Sequence, residues 1–175
     1  YDKVIPALEQ QNNFPLAARV RIGYVGALPL GGHYDKALQI ASEAEALMLA
    51  QGDDTGLARL ANNVANVYFR LDQHENAYQR HLQAATVFEK LGDQQALAQS
   101  WLNTANALSY IDRFDESDAL YRRSEELSLR LGLEDLAAQA AYNRAYNYYL
   151  RGRYVDALRE FSRLRRRFQE SASAR

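Results

Sequence analysis

Histidine is the side chain best suited to moving a proton near neutral pH or holding a transition metal, and this chain has three, at positions 33, 74 and 81. His33 stands beside Pro29, Gly31 and Gly32, a composition that reads as a turn. His74 and His81 are seven residues apart and share a helix face. A zinc site needs three or four ligands, and no acid or further nitrogen ligand stands at useful spacing. Packing therefore accounts for both. Acids occur as adjacent pairs, Asp53-Asp54 and Glu125-Glu126, whereas catalytic carboxylates need a cleft that drives their pKa values apart. There is no cysteine, no glycine-rich phosphate loop and no serine elbow. The residues predict no enzyme, no metal and no cofactor.

Two further groups could recognise a partner. Arg163, Arg165, Arg166 and Arg167 form a dense basic run; residues 151–175 hold eight arginines against three acids. Such a run suits phosphate or an acidic partner, but a solvated face of the last helix explains it as well. Nucleic acid is not the expected partner, because no aromatic platform interleaves the run and the whole chain has a net charge of −1. Asparagines are more informative. Asn63 and Asn66, and Asn103 and Asn106, form pairs three apart, and Asn143 continues the first position. Asparagine is a mediocre helix former, so placing it mid-helix needs a reason. Its amide is donor and acceptor together, which suits the backbone of an extended peptide. The same amides could instead tie neighbouring helices.

The elements that must position these groups repeat every 40 residues. Gly52, Gly92 and Gly132 keep that step, as do Tyr34, His74, Phe114 and Tyr154. So do Ala37, Ala77, Ser117 and Ala157, then Ala44, Ala84, Ser124 and Leu164, and the column Asn63, Asn103 and Asn143. Within one period the spacing predicts two amphipathic helices, 57–71 with Leu60, Val64, Val67 and Leu71 on one face, and 74–91 with Ala77, His81, Ala84 and Phe88. Glycine closes a helix in the left-handed region, and the aspartate after it suits the start of the next. Small residues at 65, 77, 84 and 105 let helices cross closely. One such hairpin cannot bury its own apolar face, so hairpins must stack.

The segments NVANVYFRLDQHENAYQRHLQAA (63–85), NTANALSYIDRFDESDALYRRS (103–124) and NRAYNYYLRGRYVDALREFSRL (143–164) resemble the tetratricopeptide repeat family. The resemblance covers about residues 17–171. It implies an all-α fold, a right-handed superhelical solenoid of antiparallel helix hairpins. The expected array is single over 1–175, with a partial helix at 1–13 and units at 17–56, 57–96, 97–136 and 137–171. Ser117, Ser124, Leu164 and Val25 depart from the family's small residues. The period of 40 rather than the family's usual 34 fits a second helix longer by about a turn plus a longer link. That longer variety is similar to repeats of bacterial signalling proteins, including those preceding CHAT-type peptidase domains, and of kinesin-light-chain-like adaptors.

In that family the first helices line a groove. The resemblance therefore implies a peptide-binding surface of Arg59, Asn62, Asn63, Asn66, Phe69, Arg70, Gln99, Asn103, Asn106, Tyr110, Tyr142, Asn143 and Tyr146, with Arg19 and Tyr149 beside it. The family's two-carboxylate clamp is not expected, since its lysines are missing. Function follows as a protein–protein interaction scaffold whose partner is a protein or peptide of acidic character. Two alternatives stay open: a peptide-sensing arm controlling an attached effector, and a nucleic-acid-binding helical repeat. No apolar run approaches the ~20 residues that span a bilayer, so no membrane partner is expected. The chain opens at Tyr1 without a secretory pattern, which leads us to expect a cytoplasmic fragment of a larger bacterial protein.

Overall fold

The computed structural model describes residues 1–173. Its helices are α1 (Val4–Gln10), α2 (Phe14–Ala27), α3 (Tyr34–Gln51), α4 (Asp54–Arg70), α5 (His74–Leu91), α6 (Gln94–Tyr110), α7 (Phe114–Arg130), α8 (Glu134–Leu150) and α9 (Tyr154–Ser173), with a 3₁₀ turn at Leu28–Gly31. No strand occurs among the described residues. The chain divides into two compact units, Tyr1–Asp93 and Gln94–Arg175.

Left-handed backbone recurs every 20 residues, at Asn12, Gly32, Gly52, Asp72, Gly92, Asp112, Gly132 and Gly152. Each closes a helix in the same way. Gly52 N–H returns to Leu49 O at 3.2 Å and Asp53 N–H to Met48 O at 3.0 Å. Asp72 and Gln73 do the same with Phe69 and Tyr68. These bonds satisfy carbonyls that the helix end leaves open. Glycine takes such a φ without steric cost, and Asp and Asn are the residues that follow it there most readily. The 40-residue sequence repeat is thus two backbone half-repeats of one geometry.

This geometry corrects the expected link. From α3 onward only two or three residues separate successive helices, and the extra length of the period lies in helices of 17 and 18 residues. The first helix of the second hairpin begins at Asp54 rather than Leu57, because the Asp53 carboxylate accepts the Gly56 N–H at 2.9 Å. That cap satisfies a first-turn donor and adds about 1 kcal/mol.

In the first unit α2, α3 and α4 share a core of Val25, Ile40, Ala41, Ala44, Met48, Leu60, Val64 and Val67. Ala77 and Ala84 of α5 are fully buried, as close crossing requires. In the second unit Leu102, Ala105, Tyr121 and Ala140 pack together, joining α6, α7 and α8. Here Ser117 and Ser124 take the alanine positions, and their hydroxyls donate to Ala105 O and Ala98 O, both at 2.8 Å. The departures from alanine are therefore small enough for the crossing and leave no unpaired hydroxyl.

Candidate functional site

On α4 the spacing of three and four residues carries Arg59, Asn62, Asn63, Asn66, Phe69 and Arg70 along one side of the helix. They do not stand equally free. Asn62 Oδ1 lies 2.8 Å from His81 Nδ1. An amide oxygen only accepts, so His81 Nδ1 carries a proton and donates it. Burial pushes the His81 pKa down to about 3, which keeps the ring neutral. Asn63 donates to Ile22 O of α2 at 2.8 Å. Gly26 makes the approach possible, because a Cβ there would sit 3.1 Å from the Asn63 amide nitrogen. Phe69 meets His74 edge to face at 4.9 Å. Arg59, Asn66 and Arg70 remain exposed, and among the described residues no carboxylate pairs with either arginine and no hydrogen bond holds Asn66.

In the second unit, Gln99 on α6 donates to Asn103 Oδ1 at 3.1 Å. Asn106 Oδ1 accepts from Tyr121 OH at 2.7 Å and from Asn143 Nδ2 of α8 at 2.9 Å. Tyr110, Tyr142 and Tyr146 are exposed. Tyr142 tilts onto Phe161 of α9 at 5.5 Å, and Tyr146 stacks with Tyr149 at 6.1 Å. Of the four tyrosines between 142 and 149, only Tyr148 is buried. The asparagine column therefore reaches from one first helix to the one before it, at Asn63 towards α2 and at Asn143 towards α6.

Half of the basic run is engaged. Arg163 pairs with Glu125 at 2.5 Å and Arg167 with Glu134, while Arg165 and Arg166 are exposed. Arg175 lies outside the described residues. Sequence reasoning missed the ion network at the centre of the second unit. There Arg144, only 4% exposed, reaches Glu125 at 2.9 Å and Glu160 at 2.7 Å. Asp118 stands 3.9 Å from the same guanidinium and accepts from Tyr148 OH at 2.8 Å. A usable signal existed: Arg144 continues the column Tyr24, Val64 and Thr104, which is otherwise uncharged. A charge entering an otherwise uncharged column predicts a buried partner. Among the described residues no three His, Cys, Asp or Glu side chains converge to hold a metal ion, and no helix is long and apolar enough to cross a membrane.

Comparison with known proteins meets this geometry from outside. The tetratricopeptide repeat family model matches residues 56–130. BtubC from P. vanneervenii is similar in structure, with a TM-score of 0.78 and 19% identity over 87% of this chain and 63% of that one. The Rap conjugation gene regulator of plasmid pLS20, in complex with the Phr* peptide, has a TM-score of 0.73 and 18% identity over 89% of this chain and 44% of that one. Kinesin-light-chain TPR-like repeats from Podosopora anserina have a TM-score of 0.73 and 13% identity, covering 98% of this chain and 94% of that one. No curated protein matches the sequence. The chain spans about two-thirds or less of the length of the BtubC and Rap structures. At these identities the likeness shows the fold: an all-helical stack of hairpins of the tetratricopeptide type.

Proposed function

We propose that the protein is an interaction scaffold whose α4 face holds an extended, acidic peptide segment of a partner. The observation that carries this is the set Arg59, Asn66 and Arg70: two cations without an internal carboxylate and one amide without an internal partner, aligned on a helix whose other asparagines are fastened. Arginine offers a planar fork to a carboxylate, and the amide can pair with peptide backbone whatever the side chains are. The Rap regulator, a protein of the same fold, is described in complex with a peptide, and this supports the reading. That likeness also favours a second reading, in which peptide binding here controls an attached effector, such as a CHAT-type peptidase, in a larger bacterial protein. A cytoplasmic location belongs to the same proposal.

The test is an array of extended peptides of graded Asp and Glu content, probed with the wild-type chain and with Arg59→Ala/Asn66→Ala/Arg70→Ala. Binding is expected to rise with acidic content, to fall with salt, and to weaken about tenfold or more in the triple variant. This follows from roughly 0.5–1.5 kcal/mol for each hydrogen bond lost. All three side chains are exposed, so the denaturation midpoint should hold. Equal binding by both proteins would overturn the assignment.

A further inference from the structure

Arg59 and Arg70 stand eleven residues apart on α4. At about 100° per residue that is three full turns and about 20° more, so both leave the helix along one line, about 16 Å apart on its axis. Asn66 lies on the same line, one turn before Arg70. All three are exposed, and among the described residues none has an internal partner. The stretch between the two cations, residues 60–69, holds no charge. Its other polar and aromatic groups on this side are engaged, Asn62 by His81, Asn63 by Ile22 O and Phe69 by His74. The line thus offers a cation, an amide and a second cation.

Among the first helices of the hairpins only α4 carries this arrangement. Forty residues earlier stand Arg19, which lies 3.7 Å from Asp53, and Leu30. On α6 the two positions are Gln99 and Tyr110, and on α8 they are Gln139 and Leu150. A segment that crosses α2 and α4 meets one unpaired cation, whichever end it crosses. A segment that lies along α4 meets both.

We propose that the α4 site selects its acidic segment by charge spacing: the segment runs along α4 with two carboxylates four to six residues apart and uncharged residues between them. An extended chain advances about 3.3 Å per residue, so five residues cover the roughly 16 Å between the arginines. The length of the arginine side chain accommodates one residue more or less. Carboxylates two residues apart span only about 7 Å. Engaging both would draw the two guanidinium groups together against their own repulsion. Asn66 faces the backbone of the intervening residues, where its amide pairs with peptide groups whatever their side chains are. This spacing presupposes the α4 site proposed above and adds the direction and register of its occupant.

Peptides of one length and composition test it, with blocked ends and two glutamates placed two to eight residues apart in an uncharged background of serine, threonine and alanine. Fluorescence anisotropy with the full chain should show an optimum at a separation of four to six. Binding there should be about threefold tighter than at two, the size of one exposed ion pair. Asn66→Arg combined with Arg70→Ala brings the second cation to about 10 Å from Arg59, and should move the optimum to about three residues. Both side chains are exposed, so the circular dichroism and melting midpoint of this variant should match the wild type. The readout is the position of the optimum, which a general loss of affinity does not move. Equal binding at every separation, or one optimum shared by both proteins, would overturn the spacing and leave the α4 peptide site standing. Binding of no peptide, or binding that Arg59→Ala/Asn66→Ala/Arg70→Ala leaves unchanged, would overturn both.

Discussion

The two units build the same hairpins from different interiors. The first buries Val67, Ala77, Ala84, Ala85 and Phe88; at the positions 40 residues later, or 80 in the case of Val67, the second buries Asn147, Ser117, Ser124, Glu125 and Ser128. Desolvating a polar group without a partner costs about 1–3 kcal/mol, and a charge costs more. The second unit meets that cost by pairing. Ser117 and Ser124 donate to carbonyls, Asn147 donates to Ser117 Oγ at 3.0 Å, and Glu125 holds Arg144. Ser128 is an exception, with no hydrogen-bond partner for its hydroxyl. The buried columns of the repeat therefore change both size and polarity, as from Ala85 to Glu125 and from Phe88 to Ser128, and only the crossing positions 77/117 and 84/124 keep small residues.

The hardest test of that contrast is to remove one partner. Arg144→Ala leaves Glu125 and Glu160 facing a gap inside the second unit, and should cost about 3–5 kcal/mol. Urea denaturation measures it. Arg144→Leu combined with Glu125→Leu should recover most of the loss, because a packed apolar pair needs no counter-charge. If the single variant costs under about 1 kcal/mol, the network is not what holds this unit.

A smaller effect separates the units by pH. His81, buried in the first unit, stays neutral in the folded chain with a pKa near 3, whereas an unfolded histidine titrates near 6.5. Below pH 6.5 the unfolded state binds the extra proton, so stability falls as pH falls, by at most about 1.4 kcal/mol per unit. Between pH 6.5 and 5 this histidine acts before the carboxylates titrate. His81→Gln keeps an amide for Asn62 and should flatten the stability curve in that window. An unchanged slope would show that His81 becomes charged without unfolding.

The smallest effects distinguish asparagines on a single helix. Asn63→Ala removes the donor to Ile22 O and should cost about 1–3 kcal/mol. Asn66→Ala removes nothing internal and replaces a poor helix former by the best, so stability should hold or rise by a few tenths of a kcal/mol. Thermal melts of the two variants side by side decide it. Equal losses would mean that Asn66 too is a tie, which would undercut the peptide reading.

Much of this was legible in the residues. The 40-residue step predicted the hairpins, and Gly52, Gly92 and Gly132 announced helix ends, since only a few residue types accept a left-handed backbone at low cost. Asp72 and Asp112 perform the same duty, but aspartate also caps helices and faces water, so its presence alone does not mark the turn. The asparagine columns were visible as columns. Their division was not, because an amide that ties helices and one that awaits a ligand are the same residue until a neighbour is in place.

By itself, then, the order of residues determined the period, the helices and the small positions where they cross, all of which depend on local propensity and on spacing along one chain. Tertiary structure alone decided that Asn63 is fastened while Asn66 is free, and that Arg144 finds Glu125 and Glu160. Each depends on which atoms from distant positions come within hydrogen-bond or packing distance. That separation is set by how the helices pack, and spacing along the chain does not contain it.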